Sequence, residues 1–195
     1  MSPSPHVTHP RAAAPKGTST TLAAPTLRVE RLTVRRGQES ILGPETFTLT
    51  GPAVALLTGP DPAARMALAG VLTGTLPAER FTSTGTVEVN GRTSPPLVRA
   101  ATALAQPWRV RSAADEPSRR LASLAWAART GADVIVMCPG LDGLTGTHQR
   151  DVLAASRRLA QDGRLVVLTS AAAGITGEAL SAADVTILLT AASAR

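Results

Sequence analysis

Five short runs in this chain are apolar almost throughout: AVALLT (53–58), ATALAQ (101–106), DVIVMC (133–138), RLVVLT (164–169) and DVTILLT (184–190). A strand with one wet face alternates polar and apolar residues, so runs like these suit parallel strands covered on both faces. Stretches of helical period lie between several of them. Residues 63–74 carry Met66, Leu68, Ala69, Val71 and Leu72. Residues 117–129 open on Pro117, a favoured first-turn residue, and place Leu121, Leu124, Ala125 and Ala128 on one stripe. Residues 147–162 line up Val152, Leu153, Ser156, Leu159 and Ala160 before stopping at Gly163. Strands alternating with amphipathic helices predict an α/β sandwich around a mainly parallel central sheet.

A second kind of strand is interleaved with these. LRVERLTV (27–34) alternates as Leu27/Val29 and then Leu32/Val34, with a break between the two pairs. ETFTLT (45–50) alternates around Phe47 and Leu49, and GTVEVNG (85–91) around Val87 and Val89 before a turn at Asn90-Gly91. These predict an N-terminal antiparallel layer with one wet face. Residues 1–25 hold five prolines, no acidic residue and no apolar period, which predicts a disordered basic tail ahead of one domain over 26–195.

Composition narrows the function. No apolar run approaches the roughly 20 residues of a membrane span, and no secretory signal core is visible, so the expected location is cytoplasmic. The single cysteine, Cys138, excludes an internal disulfide, and three histidines with one cysteine make a Cys/His metal site unexpected. The net charge of +6 comes from nineteen Arg and one Lys, and Lys16 lies in the tail. Such charge favours anionic partners without selecting one. With no Tyr, two Phe and two Trp, aromatic stacking platforms for single strands are not expected, nor is nucleic acid as a partner.

After the apolar run AVALLT comes GPDPAARMAL (59–68), a turn that leads into a helix. Strand, tight turn and helix is the layout of a phosphate-binding loop, whose backbone N–H groups cradle an anion at a helix N-terminus. Taken in order, the segments over 26–190 resemble the nucleotide-binding domain of ATP-binding cassette (ABC) transporters. ALLTGPDPAARMALAGVLTGTL resembles that family's P-loop and its helix, GTVEVNGR its next strand and turn, and ATALAQ the strand ending in the Q-loop glutamine, here Gln106. RRLASLAWAARTGADVIVMCPGLDGL resembles the helix after the signature motif, the Walker B strand and the D-loop; RLVVLTSAAAG and ALSAADVTILL resemble the closing strands.

The resemblance implies a P-loop NTPase-like core and assigns the P-loop to Gly59, Pro60, Asp61, Ala64, Arg65 and Met66. Those residues depart from the family pattern. Pro62 removes one N–H donor from the loop. Ala64 stands for the last Gly, Arg65 for the phosphate-binding Lys, and Met66 for the Ser/Thr whose hydroxyl would ligate Mg2+; a thioether is a poor ligand for a hard cation. Arg36 stands near the aromatic residue expected to stack on adenine. In a gapless register Cys138 and Pro139 fall at the two Walker B carboxylates and Thr145 at the D-loop Asp; a one-residue shift puts Met137 and Cys138 at the carboxylates instead, and either register removes both. Ala171 falls at the switch histidine. Asp142 is the nearest acid, a few residues past the strand. Between Gln106 and Arg119 only PWRVRSAADEPS is present, so the helical subdomain and its signature motif are largely missing.

The expectation is therefore an ABC transporter ATP-binding subunit-like protein without catalytic residues: weak or no ATP binding, no Mg2+ site, no turnover. Its expected role is regulatory or structural, beside a membrane permease or an active ABC ATPase subunit at the inner face of the membrane. Two alternatives stay open at this point, an anion- or nucleotide-binding module unrelated to transport and a basic protein contacting nucleic acid.

Overall fold

The computed structural model describes residues 24–110 and 115–190. Most of the expected tail, together with residues 111–114 between Gln106 and Arg119, lies outside the described residues.

Three of the apolar runs form the middle of a parallel sheet: β3 (Ala53–Thr58), β6 (Val134–Met137) and β7 (Leu165–Ser170), buried at every residue. Side chains of a strand point alternately to opposite faces, and here both faces are covered. Ala55, Leu57, Val136 and Val167 enter one core, whereas Val54, Leu56, Ile135 and Val166 enter the other. The edge strands are β5 (Thr102–Ala105) and β8 (Val185–Leu188), in the order β5-β6-β7-β3-β8. All four pairings are parallel.

β8 corrects an expectation. The run 184–190 is not buried on both faces: Val185, Thr186 and Leu188 are exposed, and Leu188 is 68% accessible. Among the described residues β8 pairs only with β3, and its outer edge is open. An apolar run marks a strand but does not say whether helices cover it. The strand is anchored by Asp184, whose carboxylate accepts the Val54 N–H at 2.7 Å.

The antiparallel sheet has the order β2-β1-β4, from β2 (Glu39–Thr50), β1 (Thr26–Arg36) and β4 (Thr82–Val89). The expected break in the first segment is a bulge within one continuous strand. Register shifts fall between Val29 and Leu32 on one side and between Glu30 and Thr33 on the other, with Arg31 at φ 46°. The bulged backbone presses on Gly85, where a Cβ would lie 2.5 Å from the Arg31 carbonyl oxygen, so that position requires glycine. The expected turn at Asn90-Gly91 is present, both residues having positive φ.

Helix α1 (Pro62–Leu72) is packed between the two sheets and buries Ala64, Ala67, Leu68, Ala69 and Leu72. Met66 instead faces outward, 55% exposed. The opposite face of the parallel sheet is covered by α3 (Glu116–Ala128) and α4 (Gly146–Gln161). The buried stripe of α3 runs through Arg120, Ser123, Leu124 and Ala127, and the expected Ala125 is exposed. That stripe carries an arginine and a serine, which an apolar period alone does not identify. Two short helices, α2 (Pro95–Ala101) and α5 (Gly177–Ala182), span too few residues to show a period. Between β5 and α3 the described residues contain only one 3-10 turn, Pro107–Arg109.

Candidate functional site at the carboxyl edge of the parallel sheet

In an open parallel sheet the loops leaving the carboxyl ends of the strands converge on one edge, where ligands bind. The loop after β3 carries Gly59, Pro60 and Asp61; Gln106 follows β5, Cys138 follows β6 and Ala171 follows β7. The expected site residues therefore share this edge.

The N-terminus of α1, where the resemblance places a P-loop, is capped by the protein's own groups. Asp61 is the N-cap of α1, with φ −87° and ψ 114°, and its carboxylate accepts the Ala63 N–H at 2.8 Å. The Asp61 carbonyl accepts the Arg65 N–H at 3.2 Å, and Pro62 has no N–H. Of the first-turn amides, only that of Ala64 lacks a protein acceptor among the described residues. An anion at a helix N-terminus is stabilised by free N–H groups and the helix dipole. Here Asp61 supplies that anion. Gly59 pins the loop to β7 by donating its N–H to the Ser170 carbonyl at 3.2 Å, and a Cβ on it would lie 3.1 Å from the Leu189 Cβ.

Arg65 turns inward. It is 5% exposed; its Nη1 donates to the Gly59 carbonyl, and its Nη2 to Asp142 Oδ1 at 2.9 Å. The same Oδ1 accepts the Ala171 N–H at 2.9 Å. Asp142 thus joins the loops after β3, β6 and β7, although β7 separates β3 from β6 in the sheet. The loop can approach β7 because Gly140 has no side chain: a Cβ there would meet the Thr169 carbonyl oxygen at 2.7 Å. The sequence places Asp142 nearby but gives it no role; its pairing with Arg65, 77 residues away, has no local signature.

Beside this lock lies a buried polar cluster. Asp142 Oδ2, Thr169 Oγ1 and Arg120 Nε and Nη1 have no hydrogen-bond partner among the described residues. Arg120 keeps an ion pair with Glu116 at 3.1 Å, and burial pushes its guanidinium below the usual arginine range. Burial likewise pushes the Cys138 thiol up, so it stays neutral at the foot of the site.

Met66, Gln106 and Cys138, the positions the resemblance assigns to Mg2+ ligation or its surroundings, line one cavity of about 410 Å³, together with Arg36. The Gln106 carboxamide keeps one oxygen that a hard cation can use, but the Met66 thioether and the protonated Cys138 thiol are poor Mg2+ ligands, and no carboxylate lines the cavity. Among the described residues no group of three His, Cys, Asp or Glu side chains is placed to hold a metal. A second cavity of about 550 Å³, lined by Val71, Val87, Pro95 and Arg99, contains none of the expected site residues.

Two further polar side chains organise this edge. Glu45 lies on the inward face of β2, 5% exposed, and accepts from the Thr190 N–H at 2.8 Å and its hydroxyl at 2.7 Å. Gln149, 1% exposed, donates to the Leu144 and Gly174 carbonyls at 3.0 and 2.6 Å. Its Oε1 accepts the Thr176 N–H and hydroxyl, both at 3.2 Å. A signal for Gln149 existed: it precedes Val152, Leu153 and Ser156 on the same helical stripe.

No protein-family model matches the sequence, and no curated protein is similar enough in sequence to be matched. Solved structures are similar. A nucleotide-free ATP-binding cassette from an ABC transporter superposes with a TM-score of 0.66 at 14% identity, covering 85% of this chain and 87% of its own. An ATP-binding cassette in its ADP conformation gives 0.65 at 14% identity with the same coverage. CbiO1 from Clostridium perfringens, part of the ABC transporter complex cbiONQ, gives 0.63 at 11%, covering 84% of each chain. No helix among the described residues is long and apolar enough to cross a membrane. The chain has the fold of an ATP-binding cassette, an ABC ATPase-like domain.

Proposed function

We propose that this chain is a catalytically inactive ABC ATPase-like subunit, a pseudo-ATPase with weak or no ATP binding. The observation that carries the reading is the self-filled loop: Asp61 caps α1 where a phosphate would sit, and Arg65 is tied to Asp142 and Gly59. A nucleotide would have to displace a carboxylate and break a buried ion pair before meeting a phosphate-binding group. Hydrolysis lacks its parts as well. Pro139 offers no proton acceptor to orient water, and losing a general base costs about 100- to 10,000-fold by itself. The donor set supports no Mg2+ site.

The role that remains is that of a cytoplasmic regulatory or structural partner, docked to a permease or to an active cassette subunit at the inner face of the membrane. The solved cassettes of like fold belong to ABC transporters, and this supports a transporter as the setting. The test measures ATP turnover of the purified chain alone and co-purifies it with an intact ABC ATPase subunit. No turnover above background with stable co-purification is expected. Turnover lost in Arg65→Ala would overturn the reading.

A further inference from the structure

We propose that the cavity alongside α1 is a binding site for a small organic anion with a flat, apolar body, a ligand class distinct from Mg2+-ATP. The proposal does not rest on the pseudo-ATPase reading. At about 410 Å³ the cavity falls in the range that holds metabolite-sized ligands. Its walls are Ile41, Met66, Leu76, Phe81, Leu104 and Trp108. Two of these are costly to leave in water, Met66 at 55% and Trp108 at 51% exposure, and both present polarizable surface to a planar ring.

The polar residues that line the same cavity are Arg36, Arg109, Gln106 and Thr75. Arg109 makes no ion pair with another described residue. Arg36 is held only by Glu39, an exposed pair at 2.8 Å that contributes little and exchanges readily. No carboxylate lines the cavity. Two cations with no lining acid select an anion, and the apolar walls disfavour a bare inorganic one. A planar carboxylate or sulfonate at one end and a ring at the other match this arrangement.

The experiment uses a matched pair of probes on the full chain. Anilinonaphthalene sulfonate carries the anionic group, and N-phenylnaphthylamine presents a similar body without it. Trp108 lines the cavity while Trp126 does not, so Trp126→Phe leaves Trp108 as the reporter. The expected result is one saturable sulfonate site that quenches Trp108, with the neutral probe at least about tenfold weaker. Arg109→Gln should weaken the sulfonate about tenfold, as for loss of a hydrogen bond to a charged group, and leave the neutral probe unchanged. Arg109 is exposed, so this variant keeps the fold, and a thermal melt verifies it. Equal binding of both probes would mean apolar adhesion only and overturn the proposal. So would affinity indifferent to Arg109, or displacement by ATP that depends on Arg65.

Discussion

Asp142→Ala removes the acceptor that two groups share. Arg65 is 6% exposed at its side chain and would lose its carboxylate partner, and the Ala171 N–H would lose its acceptor. Breaking a buried ion pair from one side costs about 3–5 kcal/mol, because the remaining charge stays buried. Asp142 is itself 24% exposed, so water reaches the pair and the lower end applies. An unsatisfied buried amide adds about 1–3 kcal/mol, reduced here because Ala171 is only half-buried. The expected total is about 3 kcal/mol. Asp142→Asn keeps an oxygen for Ala171 and a neutral acceptor for Arg65, and should cost about 1–2 kcal/mol. Urea unfolding of Asp142→Ala, Arg65→Met and the double variant measures the coupling. The double variant should recover at least about 1 kcal/mol relative to the sum of the single changes. A loss below about 1 kcal/mol for Asp142→Ala, or additivity within about 0.5 kcal/mol, would refute the ion-pair lock. Asp142→Ala should also raise affinity for ATP, since it releases Arg65.

Three other outcomes follow from the same edge. Asp61→Asn keeps the cap of α1 and removes the charge, so stability should hold within about 0.5 kcal/mol while phosphate affinity rises; Asp61→Ala should cost about 1 kcal/mol in the same unfolding assay. Glu45→Ala leaves the two Thr190 donors without their acceptor and should cost about 1–2 kcal/mol, discounted because Thr190 faces solvent, whereas Glu45→Gln should cost less. Cys138 should resist alkylation at neutral pH until the chain unfolds in urea. Because burial raises its folded pKa, its contribution is fully present below the ordinary thiol value of 9.0 and is lost as pH rises past it; a Cys138→Ala variant should show a flatter decline in stability above that pH.

The parallel sheet was legible because burial on both faces leaves a run with almost no polar residue, as in AVALLT, and its bounds match β3 residue for residue. The same signal misplaced β8, since an edge strand can be as apolar as a central one. In α3 the buried stripe includes Arg120 and Ser123, and polar residues satisfied or held by neighbours break the apolar period. At the site, the departures of residues 59–66 from the P-loop pattern of the resemblance are local and can be read from the sequence alone. The contacts formed there instead cannot. The Asp142–Arg65 pair and the Glu45–Thr190 contact join residues 77 and 145 positions apart, and nothing in either local sequence announces its partner. Asp61 is different. An Asp before Pro at a helix start is a cap signal, and it foretells that the loop would hold its own carboxylate.

The most direct measurement is equilibrium binding of ATP to the full chain by calorimetry, with and without Mg2+, repeated on Arg65→Ala. A loop filled by Asp61 and an arginine locked to Asp142 predict binding no tighter than millimolar, unchanged by Mg2+ and by the substitution. Micromolar binding that strengthens with Mg2+ and disappears in Arg65→Ala would contradict the account, because it would require the P-loop to open and hold phosphate as an active cassette does.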